Sequence, residues 1–116
     1  LIGADVLPDD QKLVIEVAHV IRAGFLQQEY FGKNDAFVPL NKQFAMMKVI
    51  LQYYHKMRDA VALQIPMSEL LKLGLSEKLI AMKHDVPEED LSLIDSYSAE
   101  IDTKIGALIA ERGDRA

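Results

Sequence analysis

The chain has 116 residues, 50% hydrophobic and 27% charged, which fits one globular domain rather than a disordered or membrane-spanning protein. It has no cysteine, so disulfides, thiolate metal ligands and cysteine nucleophiles are excluded. A net charge of -5, with 13 scattered Lys and Arg among 18 carboxylates, argues against nucleic-acid binding, and no apolar run is long enough for membrane insertion.

The start of the chain, Leu1-Ile2-Gly3, has no initiator Met, signal peptide or tag. We therefore expect residues 1–116 to be a single C-terminal domain taken from a longer protein.

A first helix is predicted over residues 8–26. Asp9 and Asp10 supply the acidic first turn and cap that a helix N-terminus favours. Apolar residues then recur at helical spacing: Val14, Val17, Ala18, Ile21 and Phe25. Gly, Asn, Asp and Pro interrupt this pattern, so residues 28–40 are predicted to be an irregular connection, long enough to be functional.

A second, longer amphipathic helix is predicted from Asn41 until Pro66 stops it. Tyr53 and the methionines have the spacing of core residues rather than of a cofactor site. The apolar positions that return every three or four residues are Phe44, Met47, Ile50, Leu51, Tyr54, Met57 and Val61.

Three further helices complete the prediction. Ser68 and Glu69 open a short helix that Gly74 can close in a left-handed conformation, and Ser76 can cap the next, over residues 76–84. Pro87 with three acids begins the last helix. Its apolar seam is formed by Leu91, Ile94, Ser98, Ile101, Ile105 and Leu108. With no strand signal, the sequence predicts an all-α helical bundle of about four to five helices.

No complete active site is predicted. The three histidines, at positions 19, 55 and 84, lie on different predicted helices, and none forms the H-x-x-x-H pair of a helical metal site. No nucleophile elbow or phosphate-binding loop occurs, and carboxylates 88–90 suit a helix start. We expect neither catalytic residue nor metal nor cofactor in the chain itself.

Two segments are less easily explained as packing. Residues 3–11 form an acidic turn with apolar Val6 and Leu7, which a hydrophobic staple would explain about half the time. Residues 25–31 end a helix in two amides and two aromatics; these could cap the core, but they also suit a heterocycle.

Together these segments resemble the C-terminal domain of the catalytic A subunit (alpha chain) of V-type and archaeal-type rotary ATPases. That family reads close to G-x-D-A-L-P, then F-L-Q-Q-N-A-F, then K-Q-Y-x-M-L-K-x-I-L. The matching strings are Gly3-Ala4-Asp5-Val6-Leu7-Pro8, Phe25-Leu26-Gln27-Gln28-Glu29-Tyr30-Phe31 and Lys42-Gln43-Phe44-Ala45-Met46-Met47-Lys48-Val49-Ile50-Leu51. From about Leu63 onward the chain matches only in being helical.

The resemblance implies a rotor-contact turn. In F-type relatives the equivalent loop is D-E-L-S-E-E-D, followed by the Lys-Leu pair seen here at Lys12-Leu13. The residues that would face the central stalk and pass on force are Asp5, Val6, Leu7, Pro8, Asp9 and Asp10.

The resemblance also implies an adenine pocket closed by Phe31, with Gln28 beside it. The phosphate loop, catalytic glutamate and magnesium ligands would belong to another domain, so the parent subunit would hydrolyse or make ATP with Mg and this fragment would not. Its partners would be the rest of the A subunit, the B subunits and the central stalk, in a cytoplasmic head that moves protons or sodium ions. Glu29 and Tyr30 depart from the family's Asn-Ala and add an anion near the nucleotide.

Two other interpretations remain open. A stand-alone helical interaction module would use the Met-rich second helix and the seam around Ile101 and Ile105 to accept a partner helix. A small helical enzyme is the weakest, because no pair of titratable residues has a spacing that would shift both pKa values.

Overall fold

A computed structural model of the chain describes residues 7–26, 40–86 and 90–115. Within these ranges the chain forms five α-helices and no strand, which confirms the predicted all-α bundle. None of these helices has the length and apolar character to cross a membrane. The elements are α1 (Asp9–Ile21), continued by a π-helical turn (Arg22–Leu26), then α2 (Leu40–Ala62), α3 (Met67–Leu71), α4 (Leu75–Asp85) and α5 (Ser92–Arg115).

The end of α2 comes before Pro66, through a Schellman motif. Gln64 adopts a left-handed conformation with φ of 69°, and the N–H of Ile65 donates to the carbonyl of Ala60 at 3.1 Å. Ile65 and Ala60 are both buried, which is the apolar contact that accompanies this motif. The helix therefore stops because its last carbonyls are satisfied by a reversal of the chain.

The starts of the later helices differ by a few residues from their predicted positions. Gly74 is left-handed, as predicted, with φ of 71°, but it precedes α4 directly, so Ser76 lies inside the helix instead of capping it. The predicted start at Pro87 lies outside the described residues. Helix α5 begins at Ser92, whose N–H donates to Oδ1 of Asp90 at 3.0 Å.

Helix α2 lies between α1 and α5, and α4 packs against all three. Tyr53, only 1% exposed, is among the largest side chains in this core. The other buried apolar residues of this core come from every helix: Leu13, Val20, Met46, Val49, Ile50, Met57, Ala60, Ile65, Met67, Leu70, Leu75, Leu79, Met82, Val86, Ile94, Ile101 and Ile105.

Three large apolar residues predicted to lie in the core are instead exposed. Val14 is 55% exposed, Phe44 68% and Leu51 48%. Both helices carry apolar residues on two faces, and only the face that includes Leu13 or Tyr53 meets neighbouring helices. Helical periodicity alone did not identify which face would be buried.

The seam of α5 is occupied by the chain itself. Ile101 and Ile105 are completely buried, and α5 makes its most extensive packing against α2. The interaction-module hypothesis required this seam to accept a partner helix, and α2 already fills that place.

Candidate functional site

The predicted rotor-contact turn is described only in its second half. Asp5 and Val6 lie outside the described residues. Leu7 is half-buried and Pro8 exposed, and Asp9 and Asp10 form the acidic first turn of α1. Pro8 holds the extended conformation that precedes the helix, and no side chain caps it.

The two aspartates of this turn have different environments. Oδ2 of Asp9 accepts the backbone N–H of Met67 at 3.1 Å, and its Oδ1 lies 3.8 Å from Nζ of Lys12. That N–H belongs to the first residue of α3, which has no partner within its own helix. Asp10 is exposed, and its Oδ1 accepts the N–H of the adjacent Gln11 at 3.0 Å. Asp9 therefore stabilises the fold, whereas Asp10 is available to a partner.

A shallow groove joins the acidic turn to the end of α2. Asp9 and Asp10 form one side, and the Schellman turn forms the other through Val61, Ala62, Gln64 and Pro66. Helical spacing does not bring these segments together, because the Asp9–Met67 bond spans 58 residues. The only sequence signal for this groove is indirect. Helix α3 is short and starts without a side-chain cap of its own, so an acidic residue from another part of the chain can accept its first N–H groups.

At the other end of α1, the π-helical turn lies against α4. Gly24 is buried there, and a Cβ at this position would lie 2.7 Å from Cα of Ile80 and 3.1 Å from the carbonyl oxygen of Leu79. Real Cβ atoms do not approach backbone so closely, so only glycine allows this packing. Residue 27 follows the turn directly, and with it the segment that contains the predicted adenine residues.

Lys42, in the first turn of α2, is a second residue whose importance was not predicted from the sequence. Its side chain is only 3% exposed, and Nζ donates to the carbonyls of Lys83 at 2.9 Å and Val86 at 2.6 Å. These carbonyls lie at the C-terminal end of α4, where a cation is favoured. The available signal was a lysine in register with the buried residues Met46, Val49 and Tyr53.

Phe31 and Gln28, predicted to close the adenine pocket, lie outside the described residues. In the described part of the chain, no group of three or more His, Asp or Glu side chains could hold a metal ion.

Among the tyrosines that the structure describes, Tyr53 has the most strongly shifted pKa. Burial raises its pKa far above the usual value and the charge of Glu16 adds to this, while a hydrogen bond with Ser76 opposes it. The phenol therefore stays neutral and serves as a packing group that links α2 to α4.

A family model for the C-terminal domain of V and A type ATP synthase matches residues 1–71. The V-type ATP synthase alpha chain 2 of Clostridium tetani is 39% identical over 96% of this chain and 19% of its own length. The V-type ATP synthase alpha chain of Halothermothrix orenii is 41% identical over 88% of this chain and 17% of its own length. The V-type ATP synthase alpha chain of Clostridioides difficile is 37% identical over 97% of this chain and 19% of its own length.

The matched range includes all three strings that carried the resemblance, at residues 3–8, 25–31 and 42–51. The fold and these matches define the class as a helical C-terminal domain of a larger subunit. The chain belongs to the family of C-terminal domains of V and A type ATP synthases. It spans about a fifth of the length of the curated relatives it matches, 19% in the first of them.

Proposed function

We propose that this chain is the C-terminal domain of a rotary ATP synthase catalytic subunit, in which it links the nucleotide state to the central stalk. The observation that carries this proposal is that, in a chain of this family, α1 lies between the acidic turn and the segment that begins at residue 27. Helix α1 and the π-helical turn separate the acidic turn from the start of the segment with Gln28 and Phe31. At 1.5 Å per residue, the 13 residues of α1 alone span about 20 Å.

Packing along α1 suits it to transmit displacement. Its buried residues Leu13 and Val20 lie in the common core, its first turn is bonded to α3 through Asp9, and its far end is fixed by Gly24. Packed cores are only slightly compressible, so a shift at one end moves the other. In this proposal Leu7, Pro8 and Asp10 contact the stalk, together with Asp5 and Val6.

The proposed nucleotide role is to close the adenine side of an ATP site whose phosphate-binding part lies in another domain. Phe31 would stack on the purine ring, with Gln28 beside it, and Mg-ATP would be held by the rest of the subunit. The partners are that remainder, the B subunits and the stalk, in a soluble head whose ATP hydrolysis or synthesis drives proton or sodium transport. The exposed side chains of Leu40, Phe44 and Leu51 on one side of α2 offer an apolar surface for such neighbours.

Two substitutions in the complete rotary complex test the two roles. Phe31→Leu should raise the KM for ATP by up to about tenfold, the value of one aromatic stacking contact. Asp10→Ala should leave that KM unchanged but lower the number of ions moved per ATP. An unchanged KM would refute the adenine role and unchanged coupling the stalk role. Micromolar ATP binding by this chain alone, measured by calorimetry, would contradict a phosphate site in another domain.

A further inference from the structure

Helix α2 has an outer seam that the described part of the chain leaves exposed. Its members follow one another at intervals of three or four residues, which places them on one face of the helix. The large apolar members are Leu40, 79% exposed, Phe44, 68% exposed, and Leu51, 48% exposed. The whole seam, every residue of which is exposed, consists of Leu40, Phe44, Lys48, Leu51, His55, Arg58 and Ala62.

The spacing of the outer seam suits contact with a second helix. An alternation of three and four residues is close to the 3.5-residue period at which one helix packs along another. The seam of α5 that contains Ile101 and Ile105 has this spacing too, and it is buried within the bundle. From Leu40 to Ala62 the outer seam extends about 33 Å at 1.5 Å per residue, the length of about six turns of a partner helix.

The ionisable groups on the outer seam are all basic. Lys48, His55 and Arg58 lie on it and no carboxylate does, although the chain has 18 acids and a net charge of -5. The one acid of α2, Asp59, lies one position off the seam. Within the described residues no carboxylate forms an ion pair with Lys48 or Arg58. The guanidinium carbon of Arg58 lies 5.6 Å from the ring centroid of Tyr54, a contact that orients this charge on the surface.

We propose that the outer seam of α2 docks an acidic amphipathic helix of a neighbouring subunit. Phe44 and Leu51 contact the apolar side chains of that helix, and two of its carboxylates face Lys48 and Arg58. These cations are ten residues apart, about 15 Å along the axis, so the two carboxylates should also be about ten residues apart. The inference rests on the proposed function only in that the rotary complex supplies the partner. It adds the chemistry that this partner must have.

A protein partner fits this surface better than an anionic lipid surface does. A helix that binds lipid headgroups has a strongly cationic face beside its apolar face. On the outer seam the lysine lies between apolar residues along a single line, and the chain as a whole is negatively charged. Close matching of single charges along a line is a feature of helix pairing.

Binding of synthetic helical peptides to this chain, measured by fluorescence anisotropy, tests the proposal. The probe is an amphipathic helix with a leucine face that includes two glutamates about ten residues apart, and in the matched peptide both glutamates are lysines. The glutamate peptide should bind at least about tenfold more tightly at low salt, and added salt should reduce this ratio. Equal binding of both peptides, binding of neither, or a preference for phosphatidylserine vesicles over the glutamate peptide would overturn the proposal.

Substitutions in the chain test whether the peptide binds at the outer seam. Phe44→Ser should weaken binding of the glutamate peptide by about tenfold or more, because it removes an aromatic contact. Its control is Leu71→Ser, at a leucine of α3 that is 42% exposed, which should leave binding unchanged. Lys48→Glu combined with Arg58→Glu should reverse the preference in favour of the lysine peptide, whereas Lys72→Glu, at an exposed lysine outside α2, should not. A preference that the double variant leaves unchanged overturns the proposal. If that variant is unfolded in urea titrations, Lys48→Glu alone should still reduce the preference.

A photo-cross-linker in place of Leu51 identifies what covers the outer seam in the complete complex. The expected product joins it to an amphipathic segment of another subunit that has two carboxylates about ten residues apart. A product with a second copy of this chain, with a segment that lacks acids, or with no segment at all overturns the proposal. Neither readout depends on ATP turnover, so the two proposals can fail separately: unchanged coupling in Asp10→Ala refutes the stalk role and leaves the docking role standing.

Discussion

The backbone N–H of Met67 donates to Oδ2 of Asp9 at 3.1 Å, although 58 residues separate them. This bond attaches the acidic turn of α1 to the start of α3, directly after the Schellman turn that ends α2. The N-terminus of α1 and the connection between α2 and α3 are thereby held as one unit. A force applied to the turn would reach the end of α2 as well as α1.

Asp9 and Asp10 should therefore differ in their effect on stability. Asp9→Ala leaves the N–H of Met67 without its acceptor. Because the Asp9 side chain is partly exposed, the free energy of unfolding should fall by about 1.5 kcal/mol, the low end of the range for a hydrogen bond to a charged group. Asp10→Ala removes an exposed carboxylate that bonds only its neighbour, and it should cost less than about 0.5 kcal/mol. Urea denaturation of the two variants measures the difference, and equal losses would contradict the structural role of Asp9.

A second long-range pair fixes the register of α2 against α5. The hydroxyl of Ser98 donates to Oε1 of Gln52 at 2.6 Å, and Nε2 of Gln52 donates to the carbonyl of Ser98 at 3.0 Å and to Oδ1 of Asp102 at 2.9 Å. Both side chains are half-buried, so the amide and the hydroxyl would lose these partners without full access to water.

Ser98→Ala and Gln52→Ala should accordingly show coupled effects. Each should lower the free energy of unfolding by about 1 kcal/mol, and the double variant should lose about 1 kcal/mol less than the sum. Ser96→Ala is the control, because its exposed hydroxyl donates only to the carbonyl of Leu93 in the same helical region. Strict additivity in the double-mutant cycle would mean that the two side chains do not interact.

The sequence predicted the helices but not all of their faces. Apolar spacing located α1, α2 and α5, and the buried seam of Ile101 and Ile105 matched its prediction, because α5 has one apolar face. Helix α2 has two such faces, and only tertiary packing determines that Tyr53 is buried and Phe44 exposed. The apolar periodicity of a helix does not specify which of its faces will contact other helices.

The contacts that hold the candidate site together were less predictable still. The bonds of Lys42 to α4 and of Asp9 to α3 join residues 41 or more apart, so no local spacing reports them. Gly24 gave no signal either, because a glycine inside a helical pattern usually indicates a lower helix propensity rather than close backbone packing.

Glu100 should make the stability of the bundle depend on acid. Its Oε1 accepts from Nζ of Lys78 at 2.6 Å and its Oε2 lies 3.1 Å from Nζ of Lys104; these hydrogen bonds hold the pKa of Glu100 below its usual value. A carboxylate with a lowered pKa contributes stability above its unfolded pKa, about 4.3, which is lost as pH falls through the lower folded value. These side chains are partly exposed, so the contribution at neutral pH is only about 0.5 to 1 kcal/mol.

Unfolding in urea at a series of pH values checks this dependence. Glu100→Gln should be less stable than wild type at neutral pH, and the difference should vanish in acid, where the wild-type carboxylate is protonated. Added salt should also shrink the difference, because it screens partly exposed charges. A difference that stays constant across the whole pH series would mean that Glu100 acts through packing rather than through its charge.

The contrast between Ile105 and Phe44 tests which faces of α5 and α2 are buried. Ile105 is completely buried against α2, so Ile105→Ala should lower the free energy of unfolding by about 3 kcal/mol through lost contacts and a cavity. Phe44 is 68% exposed, and Phe44→Ala should change this free energy by less than about 0.5 kcal/mol despite the larger volume removed. Urea denaturation of both variants provides the measurement. A cost at Phe44 comparable to that at Ile105 would restore the periodicity-based prediction that Phe44 is in the core, and it would remove the apolar surface proposed for neighbouring subunits.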